Sequence, residues 1–184
     1  MERYHKMVYL SLLVTFGIVL HIIENMIPVP FPVPGAKIGL ANIISLLAIV
    51  LYGWKEGLTV NILRCIIGSF LVGSMSSLLY SLAGAVSSTL MMALIYEYFK
   101  NTFSLAGISI IGGITHNIAQ ITVASIMLST FGLYVYLPFL MIVGLFTGFF
   151  TGIAAIFIRH NLFATLMKFE IPGEERKYNE TKLS

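Results

Sequence analysis

Near its start the chain has a long apolar run, MVYLSLLVTFGIVLHIIENMI (residues 7–27). A proline-rich stretch comes directly after it, PVPFPVPG (residues 28–35). A straight helix needs about 20 mostly apolar residues to cross the hydrocarbon of a bilayer, and this run is long enough. The prolines at 28, 30, 32 and 34 cannot continue a helix, and they favour a stiff, polyproline-like connection. The opening of the chain therefore predicts a membrane helix that ends in a rigid loop.

The composition of the whole chain agrees with a membrane protein. Of 184 residues, 58% are hydrophobic and 10% are charged, whereas a soluble domain carries roughly 25% charged residues. All eight acidic residues are glutamate, so the chain by itself cannot supply an aspartate-rich diphosphate site, a Walker-B aspartate or a Ser-His-Asp triad. Phosphate-binding glycine loops, H-E-x-x-H and C-x-x-C are absent from the sequence. We therefore predict no enzymatic activity, no metal site and no cofactor, and the lone Cys65 is expected to be a small buried hydrophobe.

Six apolar segments divide the chain, over residues 7–27, 38–52, 58–72, 78–98, 107–130 and 134–158. The second and third are shorter than a straight crossing needs, so we expect them to be tilted, broken or extended. Lys and Arg favour the cytoplasmic side of a membrane. With the N-terminus inside, nine of these residues fall inside, Lys37 falls outside, and Arg64 lies within a segment. The net charge of +3 is then a topology signal, and no nucleic-acid partner is expected.

The predicted fold class is an all-α integral membrane protein, a bundle of six transmembrane helices with both termini in the cytoplasm. Residues 1–167 form a single membrane domain, and residues 168–184 form a polar cytoplasmic tail. The proline-rich loop, residues 28–36, is external in this topology. It is either a rigid connector or a cover over the mouth of a cavity.

Polar side chains within the segments are costly in a membrane, so they mark either packing contacts or a ligand site. His21 and Glu24 lie three residues apart, and so do Asn61 and Arg64, which places each pair on one helix face. In one interpretation, Arg64 pairs with Glu24 or Glu97, and the amide and imidazole groups hold the bundle together. In the other, polar residues line a cavity for a polar or anionic solute: Glu24, Lys37, Asn42, Arg64, His116, Asn117 and Gln120.

Small residues at helical spacing predict close helix packing. Gly144, Gly148 and Gly152 form two consecutive G-x-x-x-G repeats in the sixth segment, which let a neighbouring helix approach closely. Ser11 and Thr15 form a weaker face of the same kind near the inner end of the first segment. Either face packs within the chain or against another membrane subunit.

Three blocks of sequence together resemble a known family. They are IPVPFPVPGAKIGLAN (residues 27–42), LRCIIG with LYSLAG (residues 63–68 and 79–84) and GITHNIAQ (residues 113–120). Over about residues 20–159 the chain resembles the Gx transporter family, which is also labelled heptaprenyl diphosphate synthase component I. That family is similar in size and six-span layout to the S components of energy-coupling factor (ECF) transporters.

The resemblance implies a substrate-binding subunit in the cytoplasmic membrane of a prokaryote. In such systems a six-helix protein captures a vitamin or related micronutrient, while a separate membrane coupling subunit and two ATPases drive its release. It implies that Ser11 and Thr15 form the docking face for the coupling subunit. The second label implies an alternative, a non-catalytic accessory or scaffold for polyprenyl diphosphate, quinone or flavin redox enzymes.

The expected substrate site combines these residues with neighbours in the family blocks. Glu24 and the external loop would form its rim, and the polar residues of the later helices would form its floor. The predicted substrate-binding residues are Glu24, Asn25, Lys37, Asn42, Arg64, Tyr80, His116, Asn117 and Gln120.

Overall fold

The structure, a computed structural model, describes residues 2–27, 39–73 and 75–170. These residues contain six α-helices and a 3₁₀-helix and no β-strand. The helices are α1 (Glu2–Met26), α2 (Asn42–Tyr52), α3 (Trp54–Val72), α4 (Met75–Phe99), α5 (Leu105–Met127) and α6 (Leu137–Glu170), with the 3₁₀-helix Phe131–Tyr136 before α6. The predicted proline-rich loop, Lys37 and most of the predicted tail lie outside the described residues.

A single residue separates α2 from α3. Gly53 has φ +103°, a backbone conformation that glycine adopts without a steric cost. The sequence predicted a longer break over residues 53–57, but α3 begins at Trp54. Residues after Gly53 can join the helix because the turn is made by the glycine alone.

Contacts between α1 and α3 show that these two helices run parallel. A Cβ placed at Gly17 would lie 2.9 Å from Arg64 Cδ, and one placed at Gly68 would lie 2.8 Å from the ring of His21. One turn forward on α1 thus corresponds to one turn forward on α3. Since α2 lies between them in the chain, it returns in the opposite direction.

Helices α5 and α6 pack backbone to backbone along the three glycines of the predicted packing face. A Cβ at Gly148 would lie 2.5 Å from Ile110 Cα, and a Cβ at Gly152 would lie 2.4 Å from Ala106 Cα. A Cβ at Gly144 would lie 3.2 Å from the carbonyl of Gly113. Residue numbers fall along α5 as they rise along α6 in these contacts, so the two helices are antiparallel.

Helix α2 lies at the centre of the bundle and packs against α1, α3, α4, α5 and α6. Its side chains Leu46 and Ala48 are fully buried, and Ile49 nearly so. Leu46 belongs to an apolar core that also includes Met92 of α4 and Ile108 of α5. Helix α1, by contrast, packs mainly against α2 and α3 and leaves one side open.

Four helices are long and apolar enough to cross a membrane, over Tyr4–Met26, Leu78–Phe99, Leu105–Met127 and Phe131–Asn161. Their outward faces carry large apolar side chains, such as Phe16, which is 61% exposed. The protein is therefore an all-helical membrane protein with multiple apolar helices. Helix α2 has 11 residues and is about 16 Å long, so a crossing by all six helices stays a prediction.

Charged and aromatic side chains meet at the N-terminal ends of α1 and α3. Lys6 Nζ lies 2.5 Å from Glu56 Oε1 and 5.8 Å from the centre of the Tyr52 ring. Lys55 Nζ lies 5.6 Å from the centre of the Trp54 ring. The hydrogen bond from Lys6 lowers the pKa of the Glu56 carboxyl below its usual value. This arrangement fixes the start of α1 against the start of α3.

Candidate functional site

Polar side chains from the first five helices are buried together inside the bundle. Each of them exposes 4% of its surface or less, and polar groups at such depth are costly unless they are hydrogen-bonded. We call this set the buried polar cluster. It consists of His21, Glu24, Asn42, Asn61, Arg64, Ser88, Thr89, His116 and Gln120.

A hydrogen-bonded chain begins at Arg64 and passes from α3 to α4. Arg64 Nε donates to Asn61 Oδ1, one turn earlier on the same helix. Asn61 Nδ2 donates to the carbonyl of Ala85 at 3.0 Å and to Thr89 Oγ1 at 2.5 Å. Both polar atoms of the Asn61 amide are therefore used to fix the arginine relative to α4.

The same carbonyl continues the chain to α2. Ser88 Oγ lies 3.1 Å from the Ala85 carbonyl and 3.4 Å from Asn42 Oδ1. The connection therefore runs from Arg64 through Asn61, Ala85 and Ser88 to Asn42. Three consecutive helices, α2, α3 and α4, therefore share one polar network.

The two ends of this network carry hydrogen-bond donors without an acceptor. An arginine has five N–H donors, and no described residue accepts from Nη1 or Nη2 of Arg64. Asn42 Nδ2 is also buried without an acceptor among the described residues. Arg64 forms no ion pair with a described residue either, and Glu97 is exposed.

Glycines make room for the large polar side chains of the cluster. Arg64 lies against Gly17 of α1, where a Cβ would come within 2.9 Å of Arg64 Cδ. On α4, a Cβ at Gly84 would lie 2.7 Å from His116 Cε1 and 2.9 Å from Gln120 Cγ. Ser88 follows Gly84 by four residues and so lies on the same face of α4. The α5 side chains therefore enter the bundle next to the network.

Glu24 connects the end of α1 to the turn before α2. Its carboxylate accepts a hydrogen bond from the backbone N–H of Leu40. His21, one turn earlier on α1, is fully buried and lies against Gly68 of α3. These contacts place the C-terminal half of α1 beside the start of α2.

The remaining predicted site residues lie elsewhere. Asn117 Nδ2 donates to the carbonyl of Leu140 at 2.6 Å, which directs this side chain toward α6. Asn25 is exposed and donates to the carbonyl of His21 within its own helix at 2.7 Å. Tyr80 is buried on α4, 3% exposed, one turn before Gly84, while Lys37 lies outside the described residues. The structure thus gathers Glu24, Asn42, Arg64, His116 and Gln120 into the cluster.

Sequence reasoning left several members of the cluster out of the site. Asn61 was paired with Arg64 by its spacing but was not included. Ser88 and Thr89 were not predicted as site residues, because hydroxyl groups are common in membrane helices. Gly17 and Gly84 carry no chemistry of their own, and only their position opposite a large polar side chain identifies them.

Two cavities among the described residues lie outside the cluster. One, of about 440 Å³, follows the open side of α1 and is lined by Tyr4, Met7, Val8, Ser11, Leu12 and Thr15. The other, of about 410 Å³, is an apolar groove between α1, α2 and Ile158 of α6. No three His, Cys, Asp or Glu side chains in the described part of the chain come together as metal ligands.

Comparison with known proteins identifies the family. The chain matches the family described as heptaprenyl diphosphate synthase component I over residues 13–158, which include every member of the buried polar cluster. Comparisons with curated proteins and with solved structures gave no match. Because the family match covers well over half of the chain, this protein belongs to the heptaprenyl diphosphate synthase component I family, the Gx transporter family that its sequence blocks resemble.

Proposed function

We propose that this protein is an S-component-like, substrate-binding membrane subunit, which takes up a small micronutrient or metabolite with a separate ATP-driven coupling module. The observation that supports the proposal most directly is Arg64. This side chain is 2% exposed, yet its terminal nitrogens have no acceptor among the described residues.

A buried cation without a counter-ion is a costly arrangement. The effective penalty for burying one ion in a protein is several kcal/mol, and a charged side chain within a membrane is costly as well. A ligand with a negative group would compensate the charge when it binds. Arg64 is also fixed by Asn61, so a ligand would meet a guanidinium that is already oriented.

The position of the cluster suits entry from the outside. In the predicted topology the end of α1 and the start of α2 face outward, and Glu24 and Asn42 lie there. The predicted external loop joins these two helices in the sequence. A solute arriving from outside would pass Glu24 and Asn42 before it reached Arg64 in the middle of α3.

The open side of α1 supplies a docking surface for a coupling subunit. Ser11 Oγ donates to the carbonyl of Met7, and Thr15 Oγ1 donates to that of Ser11, both at 2.9 Å. Their hydroxyl groups are therefore satisfied within the helix, and the surface they present is small and largely apolar. Small residues of this kind let another membrane helix approach closely.

Transport and ligand binding test the proposal together. We expect Arg64→Ala and His116→Ala to lower cellular uptake of the ligand that a metabolite screen by thermal shift identifies. Lys100→Ala, which removes an exposed lysine after α4, is the matched control and should leave uptake unchanged. If no metabolite changes the unfolding temperature, or if both cluster variants take up the identified ligand normally, the protein is not a substrate-binding subunit of this kind.

The family description favours a second candidate, a non-catalytic membrane accessory of a polyprenyl-forming enzyme. In that case the protein would copurify with such an enzyme and without ATPase subunits. Mild-detergent purification followed by mass spectrometry of the bound proteins separates the two candidates. Substitution of Thr15 by leucine would abolish capture of a coupling subunit only under the transport proposal.

A further inference from the structure

The open ends of the polar network are donors rather than acceptors. Arg64 offers Nη1 and Nη2, and Asn42 offers Nδ2, while Asn42 Oδ1 lies next to the Ser88 hydroxyl. A ligand that completes this network has to bring acceptor atoms to both ends. A purely cationic or donor-only solute would leave both ends without an acceptor, and Asn42 Nδ2 would stay a buried unsatisfied donor.

The guanidinium offers a particular shape to such a ligand. Nε is used by Asn61 Oδ1, so the two terminal nitrogens remain for the ligand. Two parallel N–H groups on a planar guanidinium match the two oxygens of one carboxylate. Asn42, at the other end, suits a neutral acceptor such as a carbonyl oxygen or a ring nitrogen.

The charges of the cluster limit the charge of the ligand. Among the described cluster residues, Arg64 is the single fixed cation and Glu24 the single carboxylate. Backbone amides give little further help to an anion, because those of Asn42, Ile43 and Ile44 bond back to the preceding turn at 3.1–3.2 Å. A helix start with free amides would hold a phosphate, but these are occupied. The single guanidinium of Arg64 can pair with one carboxylate group, whereas the further charges of a diphosphate would have no cationic partner in the cluster.

From the donors, the free edge of the guanidinium and the charge balance, we infer that the ligand is a small organic monocarboxylate. Its carboxylate pairs with Nη1 and Nη2 of Arg64, and a second, neutral acceptor on the same molecule takes the hydrogen bond of Asn42 Nδ2. The inference rests on the proposed function, since it names the class of substrate for the same site.

Thermal unfolding of the purified full-length chain in phosphatidylcholine nanodiscs tests the inference. The probes are the sodium salts of hexanoate, benzoate and keto derivatives of hexanoate, the amides hexanamide and benzamide, and sodium pyrophosphate, all at one ionic strength. We expect the carboxylates to raise Tm and the amides and pyrophosphate to leave it unchanged. Arg64→Met should weaken carboxylate binding by about tenfold or more, the value of a charge-assisted hydrogen bond.

Asn42 is tested by comparing ligands with and without the second acceptor. At least one keto derivative should bind about threefold more tightly than hexanoate, as a neutral hydrogen bond allows. Asn42→Ala should abolish this difference and keep the response to hexanoate, which a merely structural role of Asn42 does not predict. Lys100→Ala serves as the control and should respond as the unchanged protein does.

Three results would overturn the assignment: amides that stabilise as well as carboxylates, pyrophosphate that stabilises more, or a carboxylate response that survives in Arg64→Met. Absence of any response to the carboxylates overturns it too. Mass spectrometry of small molecules released from the purified protein separates this failure from failure of the proposed function. A released neutral or polyanionic compound refutes the monocarboxylate alone, whereas no released compound and no bound coupling subunit refute both.

Discussion

Replacement of Arg64 by methionine separates a ligand-binding arginine from one that holds the bundle together. Methionine keeps an unbranched, flexible chain that can lie against Gly17 and removes the charge. We expect the ligand-free Arg64→Met protein to be as stable as the unchanged protein or more stable. An arginine that stabilised the helices through an ion pair would give the opposite result.

The expected magnitude follows from two opposing terms. Taking an arginine out of the middle of a membrane helix removes a cost of about 2.5–3.5 kcal/mol on insertion scales. Losing the Nε hydrogen bond leaves Asn61 Oδ1 buried without its partner, which costs about 1–3 kcal/mol. The balance lies between about −0.5 and +2.5 kcal/mol in favour of the variant. Removal of one partner from a buried ion pair would instead destabilise by about 3–5 kcal/mol.

The assay is thermal unfolding of both proteins in nanodiscs without added ligand, with Lys100→Met as a control for the loss of an exposed lysine. For a chain of this size, 1 kcal/mol shifts Tm by about 2–4 °C, so the two outcomes differ by about 5 °C or more. A fall in Tm of that size for Arg64→Met would refute the reasoning. It would show that Arg64 has a counter-charge and that the anion-binding argument has no basis.

Three further predictions follow from other contacts. Gly148→Ala should destabilise the protein by about 1–3 kcal/mol, because the new Cβ would lie 2.5 Å from the α5 backbone. Gly107→Ala is the control: the nearest atom to its Cβ would lie at 3.4 Å, so this variant should unfold at nearly the same temperature as the unchanged protein. Thr15→Leu should prevent copurification of a coupling subunit while Tm stays constant, and normal copurification would exclude this face as the docking surface. Glu56→Gln should lower the free energy of unfolding by up to about 1 kcal/mol at neutral pH. Since Lys6 lowers the pKa of Glu56, the stability difference between the two proteins should vanish as the pH falls through that lowered pKa. A difference in Tm that persists in acid would contradict this prediction.

The sequence predicted the large features of the fold because they depend on local properties. Each of the six segments contains a helix in the structure. An apolar run that glycines, prolines or polar turns interrupt can be recognised from the residues of that run alone. The predicted start of α3 was less accurate, because Gly53 alone makes the turn between α2 and α3. The number of crossings is still a prediction, because α2 is short and its surroundings, rather than its length, decide how it sits in a bilayer.

The site could be predicted in part. Arg64 and His116 were recognisable because charged and imidazole groups in apolar segments are rare and costly. Asn117 has the same composition signal, yet it turns toward α6 and donates to Leu140. Asn61 and Ser88 are less unusual residues, but they connect the network. Which face of a helix meets which neighbour depends on the packing of the whole bundle.

By itself the sequence determined the class of protein and limited its chemistry. Its apolar runs fixed an all-helical membrane protein, and the absence of aspartate limited the reactions that the chain can support on its own. Only the tertiary structure decided which polar groups meet. It placed Arg64 against Gly17 and joined it through Asn61 to α4. The parallel packing of α1 and α3 brings Arg64 opposite a glycine, which has no side chain to occupy the space that the arginine needs. A contact of this kind depends on the relative register of two helices, and neither helix specifies that register alone.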